Sequence, residues 1–209
     1  DDAPSTTSGT RNPEAYDTYL RGQHLLRAGE GSRKALEQFR RATELDPGFG
    51  EAWAARAEAV VDLIQTEFWG EIPRKEAYLL AESSIERALA LDPAQARAYN
   101  ARGVLLREQL LFEQSLASFD KAIDLNPNFV IAHGNRGQTL YRLGRIKEAR
   151  KSIARALELD PLHQQLVFRA FVLAVEFYDR THFDELANIV GPDEELVAWF
   201  RIREMVETR

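Results

Sequence analysis

The residues best able to do chemistry in this sequence are spaced in ways that do not assemble it. Four histidines, His24, His133, His163 and His182, are scattered along the chain, and no two stand in the His-Glu-x-x-His arrangement that puts two imidazoles on one helical face around zinc. There is no cysteine, which removes disulfides, thiolate metal ligands and a cysteine nucleophile together. No glycine-rich phosphate loop, dinucleotide fingerprint or nucleophile elbow occurs, and the run AGEGS at 28–32 is a turn between two helical patterns. Carboxylates are plentiful, but Glu37, Glu44, Glu82, Glu86, Asp120 and Asp124 are spaced as one solvated face of a helix is. The expectation is a non-enzyme with no catalytic residue, no metal and no cofactor.

Charge sorts by segment. Residues 1–93 carry −6, residues 94–161 carry +4 and residues 162–209 carry −4, for a total of −6. A surface that recruits nucleic acid or anionic lipid by bulk charge is therefore disfavoured. Arg142, Arg145, Lys147, Arg150, Lys151 and Arg155 crowd one stretch with Glu148 among them, without the interleaved aromatics of a nucleic-acid site, and are expected to form a solvated outer face. At 209 residues, 44% apolar and 29% charged, the chain has the composition of a packed domain. It holds no apolar run of the roughly 18 residues a membrane span needs. Its first residues, DDAPSTTSGT, are not of the signal-peptide kind, and a cytoplasmic location is expected, with the periplasm as the alternative.

The elements that must position any site come from a repeat. ATELDP, ALALDP, AIDLNP and ALELDP end four successive segments, with closing prolines at 47, 93, 127 and 161. Their separations are 46, 34 and 34 residues, so the second segment holds 12 residues more than its neighbours. Proline lacks the donor N–H and restricts the residue before it, so each of these prolines marks a corner between helices. Between corners the apolar period is helical. Gly22, Gly103 and Gly137 recur at one register, with Ala57 in the equivalent place. A glycine inside a helix costs about 1 kcal/mol against alanine, so its recurrence implies a close helix crossing.

On these residues the chain resembles tetratricopeptide repeats. Trp53, Tyr99 and His133 fall in the tryptophan place of that pattern, and Ala35 with Phe39, Ala81 with Ile85, Ser115 with Phe119 and Ala149 with Ile153 in its alanine and aromatic places. Arg56, Arg102 and Arg136 stand where the family has leucine; an arginine stem can cover apolar surface while its head reaches water. The start NPEAYDTYLRGQHLL and the long second unit resemble more narrowly the repeat blocks of bacterial class III adenylyl cyclases and winged-helix transcription regulators. The resemblance implies an all-α, right-handed superhelix, an α-solenoid of stacked helix pairs. The units expected are 13–47, 48–93 with its 12-residue insertion, 94–127 and 128–161, after a flexible linker at 1–12 and before capping helices at 162–209. The last of those helices could instead be a dimer seam.

What the resemblance implies for function is a protein or peptide partner held against the inner face, which the first helix of each pair lines. Register places Tyr19, Gln23, Glu58, Asp62, Arg97, Asn100, Arg107, Gln138, Tyr141 and Arg142 there. Amides would pair a peptide backbone and arginines would grip a carboxylate at two points. The clamp that receives chaperone tails needs lysines that this face lacks. The insertion adds QTEFWGEIP, where Phe68, Trp69 and Ile72 form either a satellite cluster on Tyr78 or a partner-facing edge. Two other functions fit the same repeats, a regulatory or sensory domain of a larger bacterial signalling protein and a self-assembling scaffold.

Overall fold

The computed structural model describes residues 9–27, 31–66 and 73–160. The first eight residues of the expected linker, the insertion residues Phe68, Trp69 and Ile72, and the expected capping helices lie outside the described residues. Eight α-helices and no strand occur among those described: α1 (Pro13–Arg27), α2 (Ser32–Leu45), α3 (Gly50–Thr66), α4 (Arg74–Leu91), α5 (Ala96–Glu108), α6 (Phe112–Leu125), α7 (Val130–Arg142) and α8 (Ile146–Leu159). The chain divides between Pro127 and Asn128 into two compact units, the first holding α1–α6 and the second α7 and α8.

Each repeat phrase ends its helix in the same way. The residue before the proline is extended, at φ −142° and ψ 94° for Asp46, −141° and 99° for Asp92, −140° and 90° for Asn126, and −145° and 87° for Asp160. That is the conformation a following proline imposes. Its own N–H still donates to the carbonyl four residues back, on Ala42, Ala88, Ala122 and Ala156, so the helix closes before the chain leaves it. In two corners the aspartate side chain builds the next turn: Asp46 Oδ1 accepts from the Gly48 N–H and Asp92 Oδ1 from the Ala94 N–H, both at 2.9 Å. Trp53 Nε1 and Arg87 Nη2 both donate to the Pro47 carbonyl, at 3.1 and 3.2 Å.

The recurring glycines mark close crossings, as their register implied. A Cβ on Gly22 would lie 2.5 Å from the Phe39 ring, one on Gly103 2.5 Å from the Phe119 ring, and one on Gly137 2.6 Å from Ile153 Cγ1. The large side chain of each second helix is thus seated on the bare backbone of the first. In the second pair Ala57 stands in the glycine's place, and it and Ile85 are buried in one cluster.

In the first unit α2 packs on α3, and α3 and α4 both pack on α5. One cluster, Ala35, Phe39, Ala55 and Ala59 with Tyr19, joins the first two pairs. A larger one, from Ala57 through Ile64, Ile85 and Leu105 to Phe119, joins the second and third. Residues 9–12 are tied down on the first corner: Thr10 Oγ1 donates to Asp46, and Asn12 Nδ2 to the Leu45 carbonyl at 3.1 Å. Asn12 Oδ1 also caps α1, accepting from the N–H groups of Glu14 (3.0 Å) and Ala15 (3.2 Å).

Candidate functional site

The first helices α1, α3 and α5 bring four of the expected face residues together, and the centre of the group is Arg97. Its Nε donates to Glu58 Oε2 at 2.8 Å, and its Nη2 donates to the same oxygen. Its Nη1 donates to the Tyr19 hydroxyl at 3.1 Å. The Gln23 amide, oriented by this network, accepts from Nη1 at 3.1 Å and Nη2 at 3.0 Å. The pair is only partly open to water, with 28% of the Arg97 side chain and 19% of the Glu58 side chain exposed. Burial works against the guanidinium charge, but the Glu58 carboxylate and the Tyr19 oxygen outweigh it and hold Arg97 protonated more firmly than an ordinary arginine. Burial likewise pushes the Tyr19 hydroxyl up, and the nearby Arg97 offsets that in part.

Aromatic packing fixes Tyr19. Its ring centroid lies 5.0 Å from that of Phe49 and 5.9 Å from that of Phe39, both tilted, and 6.4 Å from that of Tyr16 in a stacked arrangement. Tyr16 and Leu20, 38% and 41% exposed, extend this edge of α1 and were not among the residues expected on the face. Tyr16 stands three residues before Tyr19, and that helical spacing was the signal available for it.

The other expected face residues differ in how far they are exposed. Asp62 is exposed on α3 and accepts from Ser32 Oγ. Asn100 is 4% exposed, and Arg107 has no exposed surface, its Nε 3.5 Å from Glu108 Oε1. Their α5 positions thus point the two side chains into the packing of the first unit. In the second unit Gln138 and Tyr141 are half-buried on α7, and Arg142, its last residue, is exposed. Tyr78, expected beneath Trp69, is described by its hydroxyl, which accepts from Arg74 Nη2 at 2.9 Å and donates to the Glu108 carbonyl at 3.3 Å.

The three arginines in leucine places find different partners. Arg56 lies over the Trp53 ring at 5.1 Å and Arg102 over the Tyr99 ring at 5.9 Å, whereas Arg136 Nη1 donates to Ser152 Oγ at 2.6 Å. Of the basic stretch, Arg145 and Arg155 are ion-paired with Glu148 and Glu158, while Lys147 and Lys151 are exposed. Among the described residues no cluster of histidine, aspartate or glutamate could hold a metal ion, and no helix is long and apolar enough to cross a membrane.

This arrangement, helix pairs closed by Asp-Pro or Asn-Pro corners with a glycine under a large side chain, is that of tetratricopeptide repeats. The sequence profile of that repeat family matches residues 19–63 and 105–163. The chain belongs to the tetratricopeptide-repeat family, a class of protein-interaction repeats. A protein STIP1 homolog of Dictyostelium discoideum is 35% identical to it over 89 residues, 43% of this chain and 16% of that protein's length. The thermophilic tetratricopeptide-repeat protein TTC0263 of Thermus thermophilus shares its fold at a TM-score of 0.68 and 18% identity, covering 91% of this chain and 99% of its own. So does YrrB, described as a tetratricopeptide-repeat protein with an unusual peptide-binding site, at a TM-score of 0.52 and 24% identity over 87% and 89% of the two chains.

Proposed function

We propose that this chain is a non-catalytic binding module that holds a protein segment against the first-helix face of α1, α3 and α5. The observation that carries the reading is the convergence of Tyr19, Gln23, Glu58 and Arg97, from three helices, on one partly exposed polar group beside the exposed apolar edge of Tyr16 and Leu20. A polar centre of fixed geometry next to an aromatic rim is what a peptide requires for register and for affinity respectively. The fold shared with YrrB supports the same reading. In it, Asp62 lies at the edge of the face, and Gln138, Tyr141 and Arg142 are its counterparts in the second unit.

The test is site-specific photo-crosslinking in the native host. A photoreactive residue placed at Gln23 or Asp62 should capture a partner protein, while one placed at Glu44 or Glu86 on the second helices should not. Capture from the second-helix positions alone would overturn the reading.

A further inference from the structure

The guanidinium of Arg97 has five N–H groups, and the surrounding protein uses all five. Nε–H and one Nη2–H go to Glu58 Oε2, the other Nη2–H and one Nη1–H to Gln23, and the last Nη1–H to Tyr19. Glu58 occupies the Nε and Nη2 edge, which is one of the two edges that can hold a carboxylate at two points. The opposing edge, Nη1 with Nη2, is covered by the Gln23 amide oxygen.

We infer that Glu58 is the specificity-determining residue of this face: it closes Arg97 to ligand carboxylates, so the partner meets α1, α3 and α5 with an uncharged internal stretch and not with its C-terminal carboxylate or an acidic side chain. The second half of this inference rests on the function proposed above; the first half does not. An incoming carboxylate would have to displace Glu58 from the guanidinium and would leave two carboxylates around one cation, in a place where only 19–28% of the paired side chains meets water to screen them. An uncharged segment meets no such opposition, because Arg97 and Glu58 together are neutral. Register on α5 alone reads Arg97 as a carboxylate receptor; its partner on α3, 39 residues earlier, reverses that.

The inference is tested by following the Arg97 Nε–H resonance by NMR while titrating N-acetylglycine, which carries a chain-terminal carboxylate, and separately its amide. In the wild type the two probes should act alike. In Glu58→Gln the carboxylate should bind about tenfold or more tighter than in the wild type, as expected for a guanidinium released from a close charged partner, with the amide unchanged. Tyr19→Phe, which removes one neutral acceptor and leaves Glu58 in place, should remain closed. A wild-type resonance that responds to the carboxylate as strongly as the Glu58→Gln variant, or a Tyr19→Phe variant that opens equally, overturns the role of Glu58. The wild-type titration stands as a test even where Glu58→Gln does not fold. Crosslinks confined to the second helices, with Arg97 nonetheless opened by Glu58→Gln, would defeat the binding face and leave the closure of Arg97 intact.

Discussion

The helix pair α5–α6 and the pair α7–α8 follow one frame, 34 residues apart, and fill three of its positions differently. At the turn, both pairs make the same two bonds: Leu110 N–H to the Arg107 carbonyl (3.0 Å) with Leu111 N–H to Leu106 (2.9 Å), and Gly144 N–H to Tyr141 (2.9 Å) with Arg145 N–H to Leu140 (2.9 Å). This is the helix ending that calls for a left-handed residue, and glycine provides it at Gly144 with φ 72°. Leu110 is held at φ 63° in the same place, with 67% of its surface exposed. At the crossing, a Phe119 ring covers Gly103 where Ile153 covers Gly137. At the start of the second helix, Arg145 grips Glu148 at two points where the other pair has Leu111 and Gln114. The helix crossing recurs although the side chains differ, so packing sets the frame and local preference gives way to it.

The largest way to break the comparison is at the crossing. Phe119→Ala should destabilise by about 3–5 kcal/mol and Ile153→Ala by less, since the ring fills more of the space over its glycine. Chemical denaturation of both variants measures the difference. Next, Gly103→Ala should be net destabilising by about 1–2 kcal/mol: overpacking costs roughly 1–3 kcal/mol and the helix gains up to about 1 kcal/mol from alanine. Gly137→Ala should cost less, because one Ile153 atom lies within 3.0 Å of the new Cβ where three ring atoms of Phe119 do. Equal stability of both alanine variants and the wild type, in the same denaturation experiment, would sink the packing argument.

Exchanging the turn residues should move stability in opposite directions. Leu110→Gly should stabilise by about 0.5–1 kcal/mol, since an L-residue in the left-handed region costs about 1–2 kcal/mol and glycine returns part of that in chain entropy. Gly144→Leu should destabilise by about 1 kcal/mol, and purely through the backbone, because nothing lies within 4 Å of a Cβ there. Thermal melts of the two single variants and the double exchange test both signs.

The smallest effect belongs to Glu148. The Arg145 hydrogen bonds, against an opposing effect of burial, hold its carboxyl below the usual glutamate value. A depressed folded value means that the pair's contribution is present above the ordinary glutamate pKa of about 4.3 and is lost as pH falls through the lower folded one. The titration midpoint of the Glu148 carboxyl carbon by NMR should fall below the ordinary value, and Arg145→Leu should raise it toward that value, with the Arg136 and Lys151 charges still lowering it.

Features that depend on nearby residues were legible in the sequence. A proline and the residue before it determine the corner by themselves, and a glycine recurring at one register of the repeat announces a crossing whatever lies across it. Arg56, Arg102 and Arg136 were read from the sequence as arginines that must reach outward. Arg56 and Arg102 each stand three residues after the ring they cover, Trp53 and Tyr99, a spacing that helical register announces, whereas Arg136 reaches Ser152, 16 residues on and on the next helix, which register does not disclose. Asn100 and Arg107 have the register of face residues, but register around α5 does not disclose how deeply α3 and α4 cover it. The pairing of Glu58 with Arg97 was not legible either, because two compatible charges 39 residues apart have many other partners available in the chain. Leu110 was hidden for the opposite reason: nothing about a leucine signals a left-handed turn.

The bond from Arg97 to Tyr19 spans 78 residues and passes over an entire helix pair. In repeat proteins, stability is ordinarily a chain of nearest-neighbour couplings, so an end repeat can melt while the one after next is undisturbed. Here the first pair and the third share a guanidinium. Fraying of α1 would strip two acceptors from Arg97 and leave α5 holding a partly satisfied charge, so the first three pairs should open as one cooperative block with amide exchange rates drawn toward a common value.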